Sequence, residues 1–128
     1  MLVIDDEPCV RRVTGHALRR FGFEVTGASS GQEGLAEVEA APHRFRLVVV
    51  DRTMPKMDGD TVIRHLHTIA PDLPILLMSG CSEQETLRRI GQHHPHAFLS
   101  KPFTIQSLMA KVRLCLESPS GDTSEAQE

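Results

Sequence analysis

At 128 residues, 40% of them hydrophobic and 24% charged, the chain is long enough for one domain with a real core and too short for two. That balance excludes a disordered polymer, and no apolar run approaches the ~18 residues of a membrane span, so no membrane insertion by this segment is expected. The net charge of −3, with no long basic block, gives no electrostatic basis for direct nucleic-acid binding. Cys9, Cys81 and Cys115 are odd in number and lack metal-ligand spacing, so they read as free thiols. With no basic, apolar leader before Leu2, a cytoplasmic domain is expected.

Strand and helix patterns alternate along the chain. Leu2-Val3-Ile4 is a continuous apolar run, as in a strand buried on both faces, and it ends at Asp5. Pro8 suits a first helical turn; Val10, Val13, Ala17, Leu18 and Phe21 follow at helical spacing until Gly22 closes the helix. Residues Phe23 to Ala28 can form a second strand. Ser30 and Glu33 have capping-box spacing for a helix carrying Leu35, Val38 and Ala41, which Pro42 stops. Leu47-Val48-Val49-Val50, the most strand-like run, ends at Asp51. A loop with Pro55 and Gly59 then leads to a helix with Val62, Ile63, Leu66 and Ile69.

Pro74 precedes a fourth strand, Ile75 to Met78, that ends at Ser79 and Gly80. Ser82 and Glu85 repeat the capping-box spacing before a short helix with Leu87 and Ile90. Ala97-Phe98-Leu99 form a fifth strand ending at Ser100, and Thr104 caps a last helix with Ile105, Leu108, Met109, Val112 and Leu116. Residues 118–128 lack apolar anchors and read as a disordered polar tail. Five strands alternating with five helices imply a single doubly wound (βα)5 α/β domain over residues 1–117. Its five-stranded parallel sheet would be covered by helices on both faces.

In such a sheet, ligands bind outside the carboxyl ends of the strands. Polar residues fall at those ends: Asp5, Asp6 and Glu7 after the first strand, Asp51 after the third, Ser79 after the fourth, Lys101 after the fifth. Clustered carboxylates repel one another unless a cation lies between them, and Mg²⁺ is the usual hard cation for phosphate work. A neutralised cluster lets one carboxylate attack phosphorus while a lysine and a hydroxyl hold the transferring oxygens.

Four stretches carry a resemblance. Leu2-Val3-Ile4-Asp5-Asp6-Glu7-Pro8, Asp51 with Met54-Pro55-Lys56-Met57-Asp58-Gly59, Met78-Ser79-Gly80, and Lys101-Pro102-Phe103 resemble, in order and spacing, the signatures of response-regulator receiver domains of two-component signalling. The resemblance runs from Leu2 to about Glu117 and implies a flavodoxin-like fold. It also implies that Asp51 accepts a phosphoryl group from a histidine kinase or histidine phosphotransfer domain. Asp6 would bind Mg²⁺ directly, Asp5 mostly through water, and the Thr53 backbone carbonyl would complete the protein ligands with Asp51. Lys101 would pair with a phosphoryl oxygen, the Lys101-Pro102 bond would be cis, and Ser79 with Phe98 would form the conformational switch. Such a chain catalyses only its own phosphorylation and dephosphorylation.

Arg52 departs from the pattern, since that position is commonly apolar, and Thr53 and Cys81 stand where the family tunes phosphoryl lifetime. The alternatives are a helix cap or turn residue for Ser79, against which Ser82 already supplies the cap, and plain core for Phe98; the switch reading is preferred for both. His93, His94 and His96 match no helical metal pair and read as a solvated loop; His16, His65 and His67 fall on polar helix faces. A haloacid-dehalogenase-like phosphatase needs a second acid where Thr53 stands. A flavin module needs phosphate-cradling residues where Asp5-Asp6-Glu7 stand, and a degenerate receiver would lack the full acid set. Met78-Ser79-Gly80 and Leu99-Ser100-Lys101-Pro102-Phe103 most resemble receivers at the carboxyl ends of hybrid histidine kinases. A free-standing single-domain regulator acting by partner binding is the alternative.

Overall fold

Strands that are apolar on both faces must be covered on both, and the chain does this with helices. The computed structural model describes residues 1–80 and 95–117. Strands β1 (Leu2–Ile4), β2 (Thr26–Ala28), β3 (Val48–Asp51), β4 (Ile75–Ser79) and β5 (Ala97–Ser100) form one parallel sheet in the order β2-β1-β3-β4-β5. Helices α1 (Pro8–Arg20), α2 (Gly31–Ala40), α3 (Gly59–Ile69) and α4 (Ile105–Glu117) accompany them. The flavodoxin-like expectation holds. The helix expected after Ser82 and the tail 118–128 lie outside the described residues.

Alternation along the strands divides the core in two. Leu2, Ile4, Val48, Val50, Ile75 and Leu77 pack with Leu35 and Val38 of α2 and Val62, Ile63 and Leu66 of α3. Their neighbours Val3, Val49, Leu76 and Met78 face Ala17 and Leu18 of α1 and Leu108, Met109 and Val112 of α4. Helix α2 lies so close to β1 that a Cβ at Gly34 would collide with the Ile4 side chain. Cys115 is buried in the second core, where desolvation pushes its thiol up to about 11; Cys9 is exposed, and both are free.

Local details correct several readings. The second strand is shorter than Phe23 to Ala28: Phe23 N–H still bonds the Leu18 carbonyl at the end of α1, and Gly22 takes φ +93 to turn the chain there. On α1 the buried face is Thr14, Gly15, Ala17 and Leu18, while Val13 and Phe21 are 55% and 54% exposed. Thr14, Gly15 and Ala17 let the helix settle onto the sheet beside Leu18, which turns Val13 and Phe21 outward. The α2 cap is a displaced box. Ser30 Oγ accepts from Glu33 N–H at 3.1 Å, but the Glu33 carboxylate accepts from Ser29 N–H and Oγ instead of Ser30 N–H. Before α4 the box is reciprocal, with Ser107 in the acid's place: Thr104 Oγ1 accepts from Ser107 N–H, and Ser107 Oγ from Thr104 N–H, both at 3.0 Å.

His96 is no solvated loop residue. Its Nδ1 accepts the Ile75 N–H at 3.1 Å, and its backbone N–H donates to the Ile75 carbonyl at 2.8 Å, so it ties the start of β4 to the approach to β5. An accepting Nδ1 requires the neutral ring, and burial, then the nearby His67, hold its pKa below the usual histidine value. The unfolded chain therefore binds the proton more readily, and His96 stabilisation is lost as pH falls below ~6.5 toward the depressed native value. We predict that His96→Asn lowers stability by about 1 kcal/mol at pH 7 and lessens the fall in Tm between pH 7 and pH 5.5. Parallel Tm–pH curves for the two proteins would contradict this role.

Candidate functional site

Sheet order places the acidic residues together. The chain runs outward from β1 to β2, then crosses back over β1 to β3, so the crevice between β1 and β3 is the topological switch point. Pairing of Ile4 with Val50, Asp51 with Met78 and Ser79 with Ser100 brings four strand ends to one edge. Asp5, Asp6 and Asp51 each offer a carboxylate oxygen there, all within 4.8 Å of one another. Asp5 is fully buried and Asp51 nearly so, at 4% exposure; Asp6 is partly exposed.

Lys101 enters from β5. Its Nζ donates to Asp51 Oδ1 at 2.8 Å and stands 4.0 Å from Asp5 Oδ2. Burial alone would lower the Lys101 pKa, but the hydrogen bond and charge of Asp51, with Asp5 and Glu7 behind, hold it above the ordinary value. Burial raises the Asp5 carboxyl; the Glu7 N–H donated to its Oδ1 at 2.9 Å opposes this, and the Asp51 charge adds to it. Asp5 Oδ2 is buried with no hydrogen bond. Arg11 fixes the end of β1 by donating from Nη1 to the Asp5 carbonyl at 2.6 Å.

The loop after β3 is shaped by its backbone. Arg52 N–H reaches the Met78 carbonyl, and Gly59 N–H reaches the Arg52 carbonyl, each at 2.8 Å. A Cβ on Gly59 would lie 2.7 Å from Arg52 Cα and 2.8 Å from the Asp51 carbonyl oxygen, so only glycine fits this neck. Within the loop, Met57 N–H bonds the Pro55 carbonyl at 2.7 Å around Lys56, whose φ is +72, a γ-turn of the rare positive-φ kind. Such a conformation at a non-glycine residue stores about 1–2 kcal/mol. Asp58 caps α3 by accepting from Thr61 N–H at 3.0 Å.

Of the residues expected at the site, Asp5, Asp6, Asp51 and Lys101 are brought together. Ser79 is buried at the end of β4, where its carbonyl accepts the Lys101 N–H at 2.9 Å. Thr53 is exposed at the start of the β3–α3 loop, and Phe98 is half-buried on β5 against the α2–α3 core. The Lys101-Pro102 bond is cis. Sequence reasoning missed the ion pair of Arg52 Nε with Asp60 Oδ1 at 3.4 Å, since residues eight apart across a loop share no helical or strand spacing. It also missed the strained Lys56, for which lysine gives no signal.

The cluster fits a hard divalent cation. Three carboxylates against one ammonium leave two negative charges, and a buried carboxylate oxygen without a donor is a site awaiting a positive partner.

Known proteins place the chain. The model of the response regulator receiver domain matches residues 1–113. The sensor kinase CckA of Brucella abortus (strain 2308) is 35% identical over 117 residues, 91% of this chain and 12% of that protein. The response regulator MprA of Mycobacterium sp. (strain KMS) is 34% identical over 124 residues, 95% of this chain and 52% of that one. The chain thus spans from about an eighth to about half the length of these relatives. Among solved structures, the chemotaxis protein CheY4 of Vibrio cholerae superposes with a TM-score of 0.83 at 27% identity, covering 90% of this chain and 96% of that one. A response regulator receiver domain from Clostridium thermocellum does so with a TM-score of 0.83 at 28% identity, covering 91% and 92%. Four ordered strand-end motifs, one acidic edge and a match across nearly the whole described chain agree: this chain belongs to the response-regulator receiver domain family of two-component signalling.

Proposed function

We propose that residues 1–117 act as a phosphorylation switch in which Asp51 accepts a phosphoryl group from phosphohistidine on a histidine kinase or a histidine phosphotransfer domain. The observation that carries this reading is Asp51 Oδ1 held 2.8 Å from Lys101 Nζ inside a cluster of three carboxylates, one of them with an orphaned buried oxygen. Asp5, Asp6, Asp51 and the Thr53 carbonyl would hold Mg²⁺, which supplies charge neutralisation to the carboxylates and to the phosphoryl oxygens when bound. An Asp51 carboxylate oxygen attacks phosphorus, the O–P bond forms as the P–N bond breaks, and the electron pair leaves on the imidazole nitrogen. Lys101 then exchanges its Asp51 partner for a phosphoryl oxygen, and the Ser79 hydroxyl donates to another. Recruitment of Ser79 draws Phe98 inward and changes the surface around β5.

The donor approaches over the surface beside Lys101. Val10, Val13 and Phe103 line a shallow apolar depression next to Lys101, and it continues through Val13 to Phe21 and Ile105, with Arg12 and Arg20 at its edge. Exposed Val13, Phe21 and Ile105 form a face suited to a partner helix that carries the phosphohistidine at one end. The likeness to the CckA sensor kinase supports a place within a hybrid kinase, and the likeness to MprA supports a separate regulator. The former is favoured by the resemblance of the Met78-Ser79-Gly80 and Lys101-Pro102-Phe103 stretches to hybrid-kinase receivers.

Incubation with a small acyl phosphate and Mg²⁺ is expected to add one phosphoryl group by intact mass, lost with EDTA and in Asp51→Asn. Equal labelling of the Asn variant would remove Asp51 from its role. Val13→Glu is expected to slow transfer from a phosphohistidine donor protein about tenfold while leaving labelling by the small acyl phosphate intact. Equal slowing with both donors would place the effect in the site and not in docking.

A further inference from the structure

Arg52 directly follows the phosphoacceptor, at a position where an apolar side chain would sit without difficulty, yet it is buried at 7% exposure. A guanidinium stays charged at any physiological pH, so its burial calls for a partner. One partner is Asp60 in the first turn of α3: Nε and Oδ1 stand 3.4 Å apart as a buried ion pair without hydrogen-bond geometry, and the side chains are 9% and 14% exposed. The pair spans the neck of the loop formed by residues 53–58. At the same neck Arg52 N–H is tied to Met78, its carbonyl accepts from Gly59, and Gly59 sits where no side chain fits. Between these ties the loop carries the positive-φ Lys56, a conformation that survives only where the ends are held.

We infer that the Arg52–Asp60 ion pair latches the neck of the β3–α3 loop and thereby positions the Thr53 backbone carbonyl for the divalent cation. Arg52 and Asp60 are positioning residues and ligate nothing themselves. This rests on the cation site proposed above. A backbone carbonyl has no rotamer of its own, so its place is set wholly by the loop that bears it. Mg²⁺ demands near-octahedral geometry, whereas Ca²⁺ accepts varied distances and ligand numbers. A loosened neck therefore weakens Mg²⁺ more than Ca²⁺, a discrimination that a general loss of stability does not produce.

Calorimetric titration of the full chain with MgCl₂ and with CaCl₂ tests this, using Asp60→Asn, Arg52→Met and the double variant. Asp60→Asn is close to isosteric at a partly exposed position and keeps the test open if Arg52→Met does not fold. The expected result is a loss of Mg²⁺ affinity of about tenfold with less than about threefold for Ca²⁺, the double variant being no weaker than the worse single one. An unchanged Mg²⁺/Ca²⁺ ratio, or losses that add, overturns the latch while the cation site stands. Failure of the unsubstituted chain to bind Mg²⁺ overturns both.

Discussion

Like charges forced together are the constraint on which this molecule turns. Carboxylate oxygens of Asp5, Asp6 and Asp51 lie within 4.8 Å of one another, two of these residues are buried, and Lys101 donates to the Asp51 carboxylate. Everything else at the carboxyl edge of the sheet manages that charge. Glu7 N–H bonds the Asp5 carboxylate, Arg11 bonds the Asp5 carbonyl, and Lys101 N–H is tied to the Ser79 carbonyl. The arrangement suits a divalent cation, which would offset the excess negative charge of the three carboxylates.

The fold makes such a cluster possible by separating tasks. Strand interiors carry Leu, Ile, Val and Met packed on both faces, and the polar residues start where each strand stops. Apolar packing against α1 to α4 fixes the strands, and the strands aim the carboxylates. Close contacts tighten this aim: Gly34 lets α2 lie against Ile4, one residue before Asp5, and Gly59 lets α3 start against the backbone of Asp51 and Arg52. Charge repulsion at the edge is thus opposed by burial in the middle of the sheet.

Much of this was legible in the residues. Apolar runs ending in Asp5, Asp51, Ser79 and Ser100 located four strands to within a residue, and their parallel order followed from the helices between them. The clustered Asp5, Asp6, Asp51 and Lys101 came with the strand ends. What stayed hidden depended on tertiary placement. Val13 and Phe21 follow the same helical spacing as Ala17 and Leu18, and which of them faces the sheet is decided by Thr14 and Gly15 fitting against it. His96 reads as loop in sequence because its partner, Ile75 N–H, lies 21 residues away. The Arg52–Asp60 pair and the γ-turn at Lys56 arise from loop closure, which leaves no periodic trace.

An edge that holds three clustered carboxylates is electrostatically strained in isolation and should be relieved by a cation. Thermal unfolding of the protein and of Asp5→Asn, each with and without MgCl₂, tests it most directly. Asparagine keeps the acceptor for Glu7 N–H and replaces the orphaned, negatively charged oxygen with an amide that can donate. Without Mg²⁺ the Asn variant is expected to melt higher than the unsubstituted chain, and Mg²⁺ to raise the unsubstituted chain substantially and the variant little. A variant that melts lower without the cation, or that gains as much from Mg²⁺ as the unsubstituted chain does, would contradict it.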